Sequence, residues 1–563
     1  MTYGARCASS GDKIADLFSD YFHSTFLKTS SNANYSTYNE HSKSAEIGSI
    51  SIEKTTILRH LKGLDLNKSG GPDGIHPIFI VECADQLVAP LELIFKRSLS
   101  EGVVPTIWKT SFITPVFKKG DKSKVEQYRP ISKLCLFAKI FERIVYDQTY
   151  AALRTSFTDE QHGFLKNRST VSNLLLAANC ITKSMEGGAQ IDVVYTDYSK
   201  CFDRIDHNIL MMKLAVAGIH GDLYRWFKSY VDNRSQAVVL QGFTSKWTSI
   251  PSGVPQGSLL GPLMFVIFIN DINSCFINSK ILLYADDMKI LKPIYGIDDV
   301  GDLQSDLLRF EEYCVNNKLD LNVDKCYLVS FTRKHTLIDQ GYQLKGRPIT
   351  RVSEVCDLGV IFDSKLTFEK QVNSCVSKAS RALGFIIRTS SSFKSLKSLK
   401  ILYCAFVRSH LEYASQVWNP RYEIYKSRIE GIQKKFLRFL DFKARQRSQD
   451  YEHRCRRYHF LPLHRRRDIN DIAYLAGIAN GSVDCPQLLT EVSLWAPSRV
   501  SRSSKTLYVP WVSTQYRQNA YIIRGSHSFN EISNSKELDI DLFCTKPSAI
   551  RKIITKDYFT SMD

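Results

Sequence analysis

Apolar positions along this chain change period several times, and the changes mark out its elements. Over residues 14–26, 51–64, 77–99, 136–153, 169–186, 208–217 and 302–317 they recur at three and four, the spacing of helices with one buried face. The run 257–272 is apolar nearly all round and predicts a buried helix, despite Gly261 and Pro262. Short apolar runs between turn formers predict strands at 111–117 and 191–196, strands joined by a turn across 234–250, and a hairpin at 281–291. Lys68-Ser-Gly-Gly-Pro-Asp-Gly-Ile75 must be a loop, because no helix or strand interior tolerates such a run. The Ser/Asn-rich stretch 29–44 predicts a linker. After about residue 364 the pattern becomes helical. Leu399, Leu402, Tyr403 and Phe406 are expected on one face. Ile429, Ile432, Phe436 and Leu440 share another, with Lys434, Lys435 and Arg438 opposite them. From 481 onward the sequence is irregular and Ser-rich. No internal repeat is visible.

Composition adds a polyanion to the picture. The 563 residues carry a net charge of +18, and it is unevenly spread. Residues 421–467 hold 15 Lys and Arg against five Asp and Glu, a surplus of ten in 47 residues. A local excess of this kind suits phosphate neutralisation better than general solubility. The 14 cysteines never fall at a C-x-x-C spacing, the pattern of a reduced intracellular protein. His453, Cys455, His459 and His464 cluster loosely, but the second cysteine pair of a zinc knuckle is missing. No apolar run reaches the ~18–20 residues that cross a bilayer, and no signal peptide opens the chain, so a membrane partner is not expected.

Two segments carry candidate chemistry. In Val193-Val-Tyr-Thr-Asp197 an apolar strand ends in a carboxylate, and in Ala285-Asp286-Asp287 two carboxylates sit at a hairpin turn. Either alone is weak, since an Asp after a strand often caps the next turn and Asp pairs are common in turns. Adjacent acids repel, however, and hard oxygen ligands suit Mg²⁺, which shares substrate phosphates rather than needing a full protein cage. Converging, Asp197, Asp286 and Asp287 can hold two ions ~3.5–4 Å apart.

Tyr284-Ala-Asp-Asp287 resembles the Tyr-x-Asp-Asp box of reverse transcriptases. Asp197 followed by Phe202-Asp203 resembles their first catalytic box, and Ser252-Gly-Val-Pro-Gln-Gly-Ser-Leu-Leu-Gly-Pro262 their Pro-Gln-Gly box. With Gly71-Pro-Asp-Gly-Ile75, Tyr128-Arg-Pro-Ile-Ser132 and Gln161-His-Gly-Phe164, the set is similar to non-LTR retrotransposons, especially the jockey-like group. His410-Leu-Glu-Tyr-Ala414 and Val417-Trp-Asn-Pro420 resemble the region distal to the polymerase in those elements.

The resemblance implies an α+β right-hand polymerase: fingers, a palm with an antiparallel sheet, a helical thumb, and a mostly helical basic C-terminal region. Its expected division is an N-terminal helix and linker over 1–49, a fingers extension over 50–96, fingers and palm over 97–363, thumb over 364–445 and the basic region over 446–563. It implies an RNA-directed DNA polymerase using two Mg²⁺ ions (Mn²⁺ as an alternative), an RNA template, a DNA primer or target, and dNTPs. Asp197, Asp286 and Asp287 would hold the metals and Lys325 would protonate the leaving pyrophosphate. Lys118, Arg129, Phe202 and Gln256 would contact the nucleotide, Phe202 as a gate against a 2′-hydroxyl. Leu358, Gly359 and Val360 would form the primer grip, although Asp357 stands where many relatives carry an aromatic residue. Lys434, Lys435 and Arg438 would bind nucleic acid. The upstream endonuclease of such elements is not expected in this chain, and the expected location is the nucleus and/or a cytoplasmic ribonucleoprotein. The alternatives are an inactive nucleic-acid-binding remnant and an RNA-dependent RNA polymerase. The latter usually has an acid where Phe202 stands.

Overall fold

The computed structural model describes residues 1–27, 46–334, 336–447, 450–496, 506–534, 538 and 540–560. The expected linker at 29–44 lies outside them. At the centre is a five-stranded sheet in the order Thr350–Arg351, Tyr327–Phe331, Gln190–Thr196, Asp287–Ile294, Lys280–Tyr284. All its pairings are antiparallel except the one between Thr350–Arg351 and Tyr327–Phe331.

Period-two alternation divides this sheet between two cores. Val194, Leu283, Ile290 and Leu328 face the first, which they share with the helices Leu136–Leu153, His207–Val216, Leu260–Ile269 and Ile297–Asn316. Ile191, Val193, Leu282, Leu291, Val329 and Phe331 face the second, with the helix Thr170–Glu186 and the elements beyond residue 360. The strand Gln190–Thr196 is central, with both faces covered, and so reads as an almost continuous apolar run.

A second sheet, in the order Tyr128–Lys133, Thr110–Phe117, Arg234–Leu240, Phe243–Thr244, stands beside the first core, and Thr248–Ile250 also pairs with Arg234–Leu240. The helix Gly11–Ser24 closes it, with Leu17, Phe18 and Phe22 packed against Ile113, Val125 and Val238.

Three expectations need correction. The face expected from Leu399 to Phe406 is shifted. The helix Leu396–Tyr403 runs into a π-turn at Cys404–Arg408, so Leu399, Tyr403, Val407 and Leu411 point inward while Phe406 is 58% exposed. One extra residue in that turn stretches the buried repeat to four. The tail beyond 481 is not wholly irregular: helices Tyr521–Asn534 and Pro547–Thr560 pack on Leu463–Ala479 through Tyr521, Phe529, Ile550 and Ile554. Their apolar residues are too few to show against the serines. Finally, the stretch 77–99 is two helices, Pro77–Glu82 and Ala84–Glu101, which meet at Cys83. No described helix is long and apolar enough to cross a membrane.

Candidate active site

The ladder between the two middle strands positions the acids. Thr196 pairs with Met288, so the next step outward sets Asp197 opposite Asp287. Residues 285 and 286 form the two-residue turn of the Lys280–Tyr284/Asp287–Ile294 hairpin, since Tyr284 pairs with Asp287. Asp286 therefore lies one turn position from Asp287, where its carboxylate accepts from the Cys201 thiol at 3.5 Å. Asp197 is fixed from the far side. Its carbonyl accepts from Asn322 N–H at 2.9 Å, and Ser199 N–H donates to Asp320 O at 2.7 Å. The same contacts hold the turn Val323–Lys325, which sets Lys325 Nζ 3.0 Å from Asp197 Oδ2.

Asp197, Asp287 and Lys325 line one cleft of about 440 Å³, together with Lys119, Tyr284 and Leu358. Burial raises the Asp287 carboxyl to about 6, helped by the charges of Asp286, Asp357 and Asp197. Asp287 nonetheless faces the open cleft, so solvent screens much of that repulsion. Among the described residues no three His, Cys, Asp or Glu side chains form a ready cage for an ion. An all-oxygen, crowded, incomplete donor set fits Mg²⁺, which completes its shell with water and substrate phosphates. In the loose cluster of His453, Cys455, His459 and His464, Cys455 is buried in the second core and His464 lies near Glu430.

Opposite the acids stand cations. Lys118 and Arg129 are exposed at the ends of the paired strands Thr110–Phe117 and Tyr128–Lys133. Lys118 is lowered first by burial and then by the charges of Arg129 and Lys325, with Asp197 opposing. Three like charges that feel one another beside a carboxylate site are suited to a polyphosphate.

Phe202 is half-buried, stacked on Phe265 with centroids 4.5 Å apart and edge-on to Phe164 at 6.1 Å. Its loop interlocks with the Pro-Gln-Gly segment. Val254 N–H donates to Phe202 O at 2.9 Å, Ser252 Oγ to Asp203 O at 2.7 Å, and Gln256 Nε2 to Asp203 Oδ1 at 2.6 Å. Gly253 must be glycine, since its φ is +80° and a Cβ would lie 2.6 Å from the carbonyls of Phe202 and Asp203. Asp203 also accepts from Thr25 Oγ1 at 3.3 Å, which ties the N-terminal helix to this loop.

Leu358 and Gly359 form the two-residue turn of the hairpin Glu354–Asp357/Val360–Asp363. Asp357 does not face solvent: it makes a buried ion pair with Lys289 of the strand Asp287–Ile294. Lys434, Lys435 and Arg438 lie on the helix Glu423–Ala444, away from this cleft. Lys435 and Arg438 are exposed, but Lys434 is half-buried over the Tyr451 ring at 5.2 Å, a correction to the expected basic face.

The sequence assigned no role to Gln161, Asp203, Lys289 or Tyr413, all of which support the site through contacts between distant segments. Gln161, Asp203 and Tyr413 each fall within a motif that carries the resemblance, whereas nothing in the sequence singled out Lys289.

Residues 117–387 match the family described as "Reverse transcriptase (RNA-dependent DNA polymerase)". The chain is 28% identical over 410 residues to the "RNA-directed DNA polymerase from mobile element jockey" of Drosophila melanogaster, covering 70% of this chain and 44% of that protein. It is 26% identical over 384 residues to the "Probable RNA-directed DNA polymerase from transposon X-element" of the same organism, covering 66% and 42%. The "Probable RNA-directed DNA polymerase from transposon BS" matches at 26% over 405 residues, covering 69% and 44%. The chain thus spans less than half the length of these relatives.

Proposed function

We infer that this chain, whose residues 117–387 are a reverse transcriptase domain of the non-LTR retrotransposon kind, is an RNA-directed DNA polymerase that extends a primer 3′-hydroxyl with dNTPs on an RNA template. The observation that carries the reading is the register that sets Asp197 against Asp287, with Asp286 in the adjoining turn, Lys325 3.0 Å from Asp197, and Lys118 close enough to feel the charges of Asp197 and Arg129.

Asp197, Asp286 and Asp287 would hold two Mg²⁺ ions, or Mn²⁺, and the ions would supply Lewis acidity toward the primer hydroxyl and the leaving pyrophosphate. The protein's own groups do the rest. Lys118 and Arg129 bind the triphosphate, Arg129 through its fork of donors. Lys325 holds a proton at Nζ within reach of Asp197, from where it protonates the departing pyrophosphate. Phe202, backed by Phe265, blocks the space a 2′-hydroxyl would need. Gln256, braced by Asp203, faces the nascent pair. Leu358, Gly359 and Val360 place the primer end, and Lys435 and Arg438 hold the nucleic-acid backbone.

Primer extension on RNA and DNA templates with dNTPs and Mg²⁺ is the test. The parent protein extends the primer, and Asp286→Asn loses at least about a hundredfold of the rate, in line with losing charge aimed at the transition state. An Asp286→Asn protein as active as the parent defeats the assignment. A preference for rNTPs would make this an RNA polymerase, and RNA binding without extension would make it an inactive remnant.

A further inference from the structure

We infer that Tyr413, in the thumb, is a positioning residue for the primer end, acting by clamping the Leu358-Gly359 turn. The inference rests on the reading of that turn as the primer grip.

Asp357 pairs with Val360, so the two residues between them make the tightest hairpin loop. Both have left-handed backbones: Leu358 at φ +43° and Gly359 at φ +86°. Positive φ at both central positions is the type I′ pattern, whose twist matches the flanking strands and whose usual first residue is Asn, Asp or Gly. Leucine there carries strain, and a strained residue persists only where its surroundings over-determine it.

The surroundings come from the thumb. The Tyr413 hydroxyl donates to the Leu358 carbonyl at 2.8 Å and shares its proton with Thr170 Oγ1 at 3.2 Å. The hydroxyl thus links the turn to the first residue of the helix Thr170–Glu186, which packs on the palm sheet. The ring lies against Gly359, where an added Cβ would meet it at 3.2 Å. Tyr413 is itself held, because its carbonyl accepts from Trp418 Nε1 at 2.8 Å and the Trp418 ring is fully buried. Its own backbone ends the helix Ser409–Glu412, and Ala414 after it has φ +51°, so the chain bends sharply there to present the ring. The ring remains 44% exposed, and its hydroxyl lies near that of Tyr284, which lines the acid cleft.

The opposite side of the same turn is fixed by the buried pair of Asp357 and Lys289. Asp357 therefore ties the turn to the strand bearing Asp287, and Tyr413 ties it to the thumb. A primer end resting on Leu358–Val360 is set relative to the acids by the first restraint and relative to the thumb by the second. Removing the second leaves the chemistry intact and loosens the seat of the primer.

The test compares the full chain with Tyr413→Phe, which keeps the ring and loses one hydroxyl, and with Tyr413→Leu, which loses both. The expected result is a primer–template KM raised roughly fivefold to tenfold in Tyr413→Phe, the scale of one hydrogen bond, and further in Tyr413→Leu. The dNTP KM and the melting temperature of Tyr413→Phe stay at parent values. Hydrogen–deuterium exchange across residues 357–361 is faster in both variants. Unchanged exchange in both variants overturns the clamp whether or not the parent extends primers. Faster exchange with an unchanged primer–template KM overturns its role toward the primer. A parent that extends no primer defeats the polymerase reading instead, and the exchange measurement still decides whether Tyr413 holds the turn.

Discussion

At the scale of single residues, the acid cleft is supported by groups outside its lining. Ala285 has φ +56° at the first turn position of the catalytic hairpin, where glycine is usual, at a cost of ~1–2 kcal/mol. Gln161 offsets that cost: its Oε1 accepts from Ala285 N–H at 2.9 Å and from Gly163 N–H at 2.7 Å. Beside it, His162 is 1% exposed, with Nδ1 2.7 Å from Ser172 Oγ, and burial lowers its ring to about 3. The unfolded chain binds a proton near pH 6.5 that the folded ring refuses, so stability is complete above that pH and is lost as pH falls toward 3. The slope is about 1.4 kcal/mol per pH unit in that window. His162→Gln should narrow the difference in melting temperature between pH 7 and pH 5.5. An unchanged difference would show that His162 is not the group that confers acid sensitivity. The resemblance marks His162 as part of a motif, but no local pattern distinguishes a buried neutral imidazole from an exposed one.

At the scale of elements, residues 158–163 act as a strap along the edge strand Lys280–Tyr284. Leu283 N–H donates to Glu160 O at 2.9 Å, and His162 N–H donates to Leu283 O at 2.8 Å. Gly163 lies so close to the turn that any Cβ would run into the Ala285 backbone nitrogen. Gly163→Ala is expected to push the turn carrying Asp286 aside, with primer extension falling at least about tenfold, since displacements near 1 Å already cost more than that. Circular dichroism should stay native, and primer–template affinity should stay within about twofold of the parent, roughly 0.4 kcal/mol. Full activity in that variant would show the strap to be passive. The hairpin itself was legible in the sequence, since the apolar runs on either side of Ala285-Asp286 predict a strand, turn and strand. The strap was not, because its partner strand lies more than 100 residues away and its own residues have no strand periodicity.

At the scale of the whole molecule, the basic surplus of 421–467 divides into two uses. Arg467 is buried and its Nε donates to Asn419 at 2.9 Å, Arg454 pairs with Asp441, and Arg466 grips Glu412 with both ends of its fork. Arg466 and Arg467 tie the helix Leu463–Ala479 to Glu412 and Asn419, and Arg454 ties the helix Tyr451–Arg457 to Glu423–Ala444. Lys435 and Arg438 are exposed on the helix Glu423–Ala444, open to solvent. Lys435→Gln with Arg438→Gln should flatten the dependence of log K on log salt by about 1.4 to 1.8, two phosphate contacts on single or double strands. Arg466→Gln should instead lower the melting temperature and leave the slope alone. Equal slopes in all three proteins would return the surface cations to solvation. The C-terminal region also reaches the catalytic strap. Arg168 donates to Asp484 at 3.0 Å through Nε, and through Nη1 to the carbonyls of Thr158 and Gln161 at 2.8 and 2.9 Å.

The sequence by itself determined most of the elements around the central sheet and brought out Asp197, Asp286 and Asp287 as candidates, because strand period, turn residues and paired carboxylates are local properties written in consecutive letters. It also pointed to a polyanionic partner, since net charge needs no fold to be counted. Only the tertiary structure decided which surface cations are already spent on neighbouring acids. It alone decided, too, that Asp357 serves Lys289, and that a tyrosine 55 residues downstream restrains Leu358. Those outcomes arise from the register and packing of segments far apart in the chain, where one step of strand pairing turns every side chain to the other face.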